Sequence, residues 1–369
     1  MKTLNIELNP EEKRSYPIVI GQDLKNEIRN FFRKIQAKKI VIVTNTTIFA
    51  IYKNLLEEVF ADCDFVTKYC ILDDGEVYKN NNSLDKILTS AFDAKLERND
   101  AFVAFGGGVV GDITGFAASI YLRGVDFVQI PTTILAQVDS SVGGKVAINT
   151  KYGKNLLGAF YQPKAVFSDL NFLKTLPKRE ILTGLSEVVK YSFIEKTCTG
   201  KFTDFADFLL NNAQNNLNLN VAELEQTVCR CCELKSAVVK QDEKENGLRA
   251  ILNFGHTIGH AIEKCTDYKV FTHGEAVAIG MKGAFLLSLK LNKIQQDYFE
   301  FAKKLLELYS LDYKIPSNIE PDNIFKALFY DKKVKNGSLR FVLPVDYASV
   351  GVFSDVSPEI ITEVIKELY

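Results

Sequence analysis

The stretch Ala101-Phe-Val-Ala-Phe105-Gly106-Gly-Gly-Val-Val-Gly111-Asp112 decides the fold of the first half of this chain. An unbroken apolar run suits a strand buried on both faces, the environment of a parallel sheet covered by helices. The glycines that follow permit a tight turn from strand into helix, and Gly106, Gly108 and Gly111 satisfy the G-x-G-x-x-G spacing. A helix starting there presents its N-terminus to an anion such as a pyrophosphate. On its own the spacing is not specific: it falls on a middle strand, and no acid is clearly placed about 20 residues downstream, as the fingerprint asks. A glycine-rich turn without a ligand is the plain alternative. Asp74-Gly75-Glu76, upstream, offers carboxylates for a ribose.

Outward from this stretch the same grammar repeats. Lys39-Ile-Val-Ile-Val-Thr44 and Asp126-Phe-Val-Gln-Ile130 are further buried-strand runs, the second ending in Pro131-Thr132-Thr133. Helical patterns over Tyr52–Phe60 and Ser83–Leu96 lie between them, and strand–helix alternation predicts a doubly wound sheet. The N-terminal MKTLNIELNPEEKRSYPIVIG alternates like a strand and carries charges, unlike a signal peptide. After Pro177 long helical periods take over, at Thr183–Thr197, Val221–Lys240 and His273–Leu291. Proline pushes the preceding residue out of the helical region, so the Leu176-Pro177 pair marks a boundary. We expect an α/β domain over residues 1–178 and a mainly α-helical domain over 179–369. The asparagine-rich run Asn211–Asn220 reads as a solvated connection between helices.

Composition narrows the function. The hydrophobic fraction of 47% fills two cores, and a net charge of −1 gives no footprint for nucleic acid. No apolar stretch reaches the ~18 residues of a membrane span. Seven cysteines, an odd number without a secretory signal, imply reduced thiols in a cytoplasm. Cys229, Cys231 and Cys232 match no zinc spacing and read as core residues of a helix.

The three histidines, His256, His260 and His273, are the only ones in the chain and fall close together. Imidazole is the commonest metal ligand, and such a concentration points to one site. At helical spacing Arg249, Asn253, His256 and His260 share one face, while Ile251, Phe254, Ile258 and Ile262 form an apolar one. Glu187 and Lys190 are likewise i, i+3 neighbours. Thr272-His-Gly-Glu275 reads as a capping box, which sets His273 in the first turn of a helix. Two histidines and a carboxylate make a catalytic zinc set with an open position. Spacing nominates His256 with His260 and does not choose between that pair and His256 with His273. Lysines on two glycine-containing segments, Gly143-Gly144-Lys145 and Gly153-Lys154-Asn155, suit phosphate groups.

These residues together carry a resemblance. Asp74-Gly-Glu-Val-Tyr-Lys79, Gly106-Gly-Gly-Val-Val-Gly-Asp112, Tyr121-Leu-Arg-Gly124, Pro131-Thr-Thr133 and Gln137-Val-Asp-Ser-Ser-Val-Gly-Gly-Lys145 stand in order. Gly153-Lys-Asn155, Glu187-Val-Val-Lys190, Asp242-Glu-Lys-Glu-Asn-Gly-Leu-Arg249, Leu252-Asn-Phe-Gly-His-Thr257, His273-Gly-Glu275 and Asp331-Lys-Lys333 follow. The chain resembles the 3-dehydroquinate synthase family along nearly its whole length.

The resemblance implies a Rossmann-like NAD-binding domain and a helical metal domain, with the active site in the cleft between them. It implies zinc, or cobalt in its place, held by Glu187, His256 and His273, and leaves His260, with Glu245, for proton transfer. NAD contacts would come from Asp74, Gly75, Glu76, Val77, Tyr78 and Lys79, from Gly108, Val109, Val110, Gly111 and Asp112, and from Thr132, Thr133, Lys145, Lys154, Phe172, Leu173, Lys174 and Thr175. Substrate contacts would come from Asp139, Lys145, Asn155, Lys190, Lys235, Arg249, Asn253 and one of Lys332 or Lys333. Arg123 would reach the neighbouring subunit's site, which implies a homodimer. Asn45 is a departure, since some relatives carry aspartate there beside the adenosine ribose. The implied reaction converts 3-deoxy-D-arabino-heptulosonate 7-phosphate to 3-dehydroquinate and phosphate by transient oxidation with NAD, elimination, re-reduction and aldol closure. Its rivals are another sugar-phosphate cyclase (of 2-deoxy-scyllo-inosose or sedoheptulose 7-phosphate type), a polyol dehydrogenase of the glycerol dehydrogenase type, and a scaffold without catalysis.

Overall fold

The computed structural model describes residues 14–35, 37–61, 65–329 and 339–369. Strands β1 (Ile18–Gly21), β2 (Lys39–Asn45), β3 (Val66–Leu72), β4 (Ala101–Gly106), β5 (Asp126–Pro131) and β8 (Ala165–Asp169) make one sheet in the order β1-β8-β5-β4-β2-β3. Every pairing in it is parallel. The continuous apolar runs are thus strands buried on both faces. Side chains alternate: Val41, Val43, Phe102 and Ala104 enter one core, and Ile40, Ile42, Val103 and Phe105 the other. Helices α1 (Lys25–Lys34) and α2 (Thr46–Phe60) cover the second core, while α3 (Asn81–Asp93) and α4 (Gly108–Ile120) cover the first.

The strand order fixes where a ligand can sit. The chain moves outward from β2 to β3, then crosses back to β4 on the other side of β2. The crevice beyond the carboxyl ends of β2 and β4 is therefore the switch point of the sheet, where open α/β sheets bind their ligands. Asn45 ends β2, and Gly106 and Gly107 lead from β4 into α4 at that crevice.

Two features here were illegible in the sequence. Lys145–Thr150 (β6) and Gly153–Phe160 (β7) pair as an antiparallel hairpin, so the lysines expected on glycine loops ride on a rigid ribbon. Residues Ala136–Ser140, which carry Asp139, form a π-helical turn, a distortion often found at functional sites.

From Lys178 onward the structure is helical: α5 (Lys178–Thr199), α6 (Phe205–Asn211), α7 (Ala213–Leu217), α8 (Val221–Gln241), α9 (His256–Cys265), α10 (His273–Lys290), α11 (Gln296–Leu308), α12 (Pro321–Leu328) and α13 (Pro358–Glu367). One antiparallel pair, β9 (Phe341–Asp346) and β10 (Ser349–Phe353), closes it. The packed helices share a single core, which also takes in Ile134, Val138, Val142, Leu170 and Leu173 of the first half. Two expectations need correction. Asn211–Asn220 is not merely a solvated connection: Asn216 on α7 is fully buried, donating to Tyr309 Oη and accepting from Thr227 Oγ1. The stripe from Arg249 to His260 is not one helix. Leu248–Asn253 is a 3-10 turn, and Gly255, at φ +76°, breaks the chain before α9 begins at His256.

Among the described residues Cys70, Cys198, Cys229, Cys231, Cys232 and Cys265 are free thiols, and no helix is long and apolar enough to cross a membrane.

Candidate active site

Three helices converge to build the histidine cluster, and glycine lets them do so. A Cβ on Gly274 would lie 2.2 Å from the Thr183 carbonyl oxygen, and one on Gly280 would lie 1.9 Å from that of Gly255. Without side chains at those points, α10 packs directly on α5 and α9. His256 and His273 each open a helix, and the capping box of Thr272 and Glu275 anchors the second start. The three imidazoles meet with ring centroids 5.2 to 6.0 Å apart.

Glu187 completes the cluster from α5. Its side chain is fully buried; Oε2 pairs with the Lys190 ammonium one turn on, and Oε1 faces the two imidazoles without a well-formed hydrogen bond. Oε1 lies 3.5 Å from His256 Nε2 and 3.5 Å from His273 Nε2. That exceeds a well-formed hydrogen bond of ~2.9 Å. It matches the roughly 3.4 Å between two ligands bound ~2.1 Å from a tetrahedral ion. His256 Nδ1 faces the Phe254 carbonyl at 2.9 Å. A carbonyl only accepts, so the proton belongs on Nδ1 and the Nε2 lone pair points toward Glu187. The donor chemistry, the buried Oε1 without a hydrogen-bond partner and the spacing all fit a divalent metal held by Glu187, His256 and His273. A second set, His260, Glu263 and His273, also draws its donor atoms together.

Burial pushes the Glu187 carboxyl up, but Lys190 and His273 outweigh it and hold it at about 2. Burial works against a charged His273, yet Glu187 and Glu263 raise it to about 10. Without an ion this ring is therefore cationic at neutral pH.

Asp139 lies beside the cluster. Its Oδ1 accepts from Tyr191 Oη at 2.5 Å, meets Lys235 Nζ at 3.0 Å and lies 3.8 Å from Lys190 Nζ. Lys235 also donates to the Asp139 carbonyl. Burial raises the Asp139 carboxyl, while Lys235 and Lys190 bring it down to about 2. Burial lowers the Lys235 and Lys145 ammonium groups. Lys145 pairs with Glu245 Oε2 at 2.6 Å, and Asn253 donates to Glu245 Oε1 at 3.2 Å. Arg249 is almost fully buried; it donates to the carbonyls of Glu243 and Gly143, while its Nε is buried without a partner.

At the switch-point crevice Asn45 caps α2 and donates to Asp74 Oδ1 at 2.7 Å, while Thr47 donates to Asp74 Oδ2. The asparagine thus orients Asp74. Lys79 bridges Asp112 (2.5 Å) and Asn155 (2.6 Å), tying the segment after Gly75 to α4 and the hairpin. Thr132 donates its backbone N–H to the Gly106 carbonyl. Of the segment 172–175, Phe172 and Leu173 are buried; Phe172 packs its ring on Tyr52 and Phe105, so these two offer backbone rather than side chain. Val110 is a core residue as well.

Arg123 lies apart from the cleft, exposed at the end of α4, with φ +70°. Lys332 and Lys333 lie outside the described residues. Sequence reasoning missed Glu263, which bonds Lys154 and His273, although His256, His260 and Glu263 stand on one face of α9. It also missed Tyr191, for which no spacing signal existed.

Comparison with known proteins agrees with this architecture. Residues 69–183 match the family model "3-dehydroquinate synthase N-terminal", and residues 184–334 match "3-dehydroquinate synthase C-terminal". A 3-dehydroquinate synthase of Shewanella halifaxensis (strain HAW-EB4) is 45% identical over 354 residues, 96% of this chain and 97% of that one. The structure of the 2-epi-5-epi-valiolone synthase ValA from Streptomyces hygroscopicus subsp. jinggangensis 5008, with NAD+ and Zn2+ bound, superposes with a TM-score of 0.88 at 23% identity, covering 99% of both chains. A 2-deoxy-scyllo-inosose synthase complexed with carbaglucose-6-phosphate, NAD+ and Co2+ gives a TM-score of 0.83 at 28% identity, covering 95% of this chain and 96% of the other. The fold is that of the sugar-phosphate cyclases. Within that class, the chain belongs to the 3-dehydroquinate synthase family.

Proposed function

We propose that this chain converts 3-deoxy-D-arabino-heptulosonate 7-phosphate to 3-dehydroquinate and inorganic phosphate, a step toward aromatic amino acids, with NAD and a divalent metal, zinc or cobalt. The observation that carries the reading is one donor set, Glu187, His256 and His273, next to a cleft lined by Lys145, Lys190, Lys235 and Arg249. Such a cleft suits a substrate that bears both a carboxylate and a phosphate.

When bound, the metal supplies Lewis acidity to adjacent substrate hydroxyls. NAD supplies a hydride acceptor that returns what it takes, so no net redox change results. The residues do the rest. Asp139 spends Oδ1 on Tyr191, Lys235 and Lys190, and keeps Oδ2 to accept from a substrate hydroxyl. Lys145, Lys235 and Arg249 neutralise substrate anions, and Asn155 and Asn253 orient them as uncharged donors. His260, beside His256 and His273, moves protons near the substrate, while Glu245 holds Lys145 and Asn253. Asp74 and the turn from Gly106 into α4 receive the nucleotide at the switch point, where the amides opening α4 face its phosphates.

The break at Pro177 divides the nucleotide-binding half, 1–178, from the metal half, 179–369. The enzyme is a cytoplasmic homodimer in this reading. The outer strand β7 exposes Leu156, Leu157 and Phe160, and Ile120 and Leu122 beside Arg123 are exposed too, an apolar surface that a second subunit would cover. Incubation of the protein with the heptulosonate phosphate, NAD and zinc, followed by NMR identification of the product, tests the reading. A carbocyclic 3-dehydroquinate spectrum supports it. An oxidised open-chain product would point to a polyol dehydrogenase instead.

A further inference from the structure

Glu263 lies on α9, one turn beyond His260, and its side chain is only 4% exposed. Its two oxygens have different partners. Oε1 lies 3.2 Å from Lys154 Nζ, which reaches across the cleft from β7 and also stands 3.9 Å over the Tyr268 ring. Oε2 faces His273 Nδ1 at 3.4 Å. The opposite nitrogen of the same ring, Nε2, faces Glu187. The order is thus ammonium, carboxylate, imidazole and the Glu187 position, with one half of the molecule supplying the first group and the other half the rest.

We propose that Glu263 is a positioning residue for the metal: it accepts a hydrogen bond from Nδ1–H of His273, fixing the ring so that Nε2 meets the ion, and Lys154 braces it from the opposite wall. Carboxylates that hold the outer nitrogen of a metal-bound histidine set both its tautomer and its angle, and their loss weakens metal binding by about 10- to 100-fold. His256 has the same arrangement with a backbone carbonyl, from Phe254. The two histidines therefore differ in a way that matters: the hold on His256 comes from the backbone and needs no particular side chain, while the hold on His273 is one side chain. Glu263 is not itself a ligand in this account. Its Oε1 pairs with Lys154 and its Oε2 faces Nδ1 of His273, the ring nitrogen opposite the one that faces Glu187.

The inference rests on Glu187, His256 and His273 as the metal set, and the test separates the two. Zinc stoichiometry and affinity are measured by competition with a chromophoric chelator for the full-length protein, His273→Ala, Glu263→Gln and Glu263→Asp. Loss of zinc from His273→Ala is expected; retention would overturn the metal set. With that control as expected, Glu263→Gln should bind one ion about 10- to 100-fold more weakly, and its cobalt-substituted form should show shifted visible bands. Glu263→Asp, which keeps the charge but shortens the reach, should fall between it and the unmodified chain; it serves if Glu263→Gln does not fold. Unchanged affinity in either Glu263 variant overturns the proposal. So does a stoichiometry of two ions in the unmodified chain that drops to one in Glu263→Gln, since Glu263 would then be a ligand.

Discussion

Oε1 of Glu187 on α5 stands 3.5 Å from Nε2 of His273 on α10, and the two helices meet closely where Gly274 packs on Thr183. That distance is longer than a well-formed hydrogen bond, although the carboxylate still favours the charged ring. The two groups are spaced as ligands of one ion, and most of what the chain can do follows from that spacing.

The spacing depends on α10 touching α5. In Gly274→Ala the new methyl group would meet the Thr183 carbonyl at 2.2 Å, with backbone rather than a flexible side chain in the way. The helices must separate, at a cost of about 1–3 kcal/mol for overpacking. Calorimetry should record a lower Tm. Zinc affinity should fall at least tenfold, although no ligand has changed. Unaltered affinity would mean that helix contact does not set the ligand distance.

Metal binding must expel a proton. Glu187 and Glu263 hold His273 protonated up to about pH 10 when no ion is present, and a metal-bound imidazole nitrogen carries no proton. Isothermal titration of zinc at pH 8 in buffers of different ionisation enthalpy should show about one proton released per ion. Apparent affinity should rise with pH and level off near pH 10. No dependence on buffer would contradict the geometry around His273.

Asp139 makes an acid-side contribution to stability. Its folded value of about 2 lies below the usual carboxylate value of 3.8. The group is depressed, so its contribution is fully present above about pH 4 and is lost as pH falls through 2. The size is about 2 kcal/mol. Asp139→Asn should lack this component of the acid unfolding curve. It also leaves the buried Lys235 without its carboxylate partner, while Lys190 keeps Glu187, and this should lower Tm at neutral pH. Identical acid curves for the two proteins would contradict the assignment.

His260 and His273 should separate by phenotype. His260→Ala is expected to keep its zinc and lose turnover, because its ring borders the donor set without belonging to it. An emptied metal site in that variant would move His260 into the ligand set.

Much of this was legible in sequence because the relevant forces are local. Continuous apolar runs at Lys39–Thr44, Ala101–Phe105 and Asp126–Ile130 became parallel strands, since burial on both faces leaves no alternative pattern. Thr272 and Glu275 announced the start of α10, because a capping box is a four-residue interaction. What stayed hidden depends on contacts between distant segments. Periodicity suggested one helix from Arg249 to His260, but the close approach of Gly255 to Gly280 imposes a break there. Spacing favoured His256 with His260 as ligands, whereas Glu187 stands between His256 and His273 because α5 and α10 pack together. The β6–β7 hairpin, the π-helical turn under Asp139 and the Lys154–Glu263 link carry no signature in the order of residues.

In the proposed reaction this cleft runs an oxidation and its reversal around one elimination. The direct measurement follows phosphate release and NADH absorbance together in one reaction with the heptulosonate phosphate, NAD and zinc. Many phosphates should be released per active site while NADH never exceeds the enzyme concentration, and chelation should stop both. NADH that accumulates with turnover, or an absence of phosphate, would contradict the account.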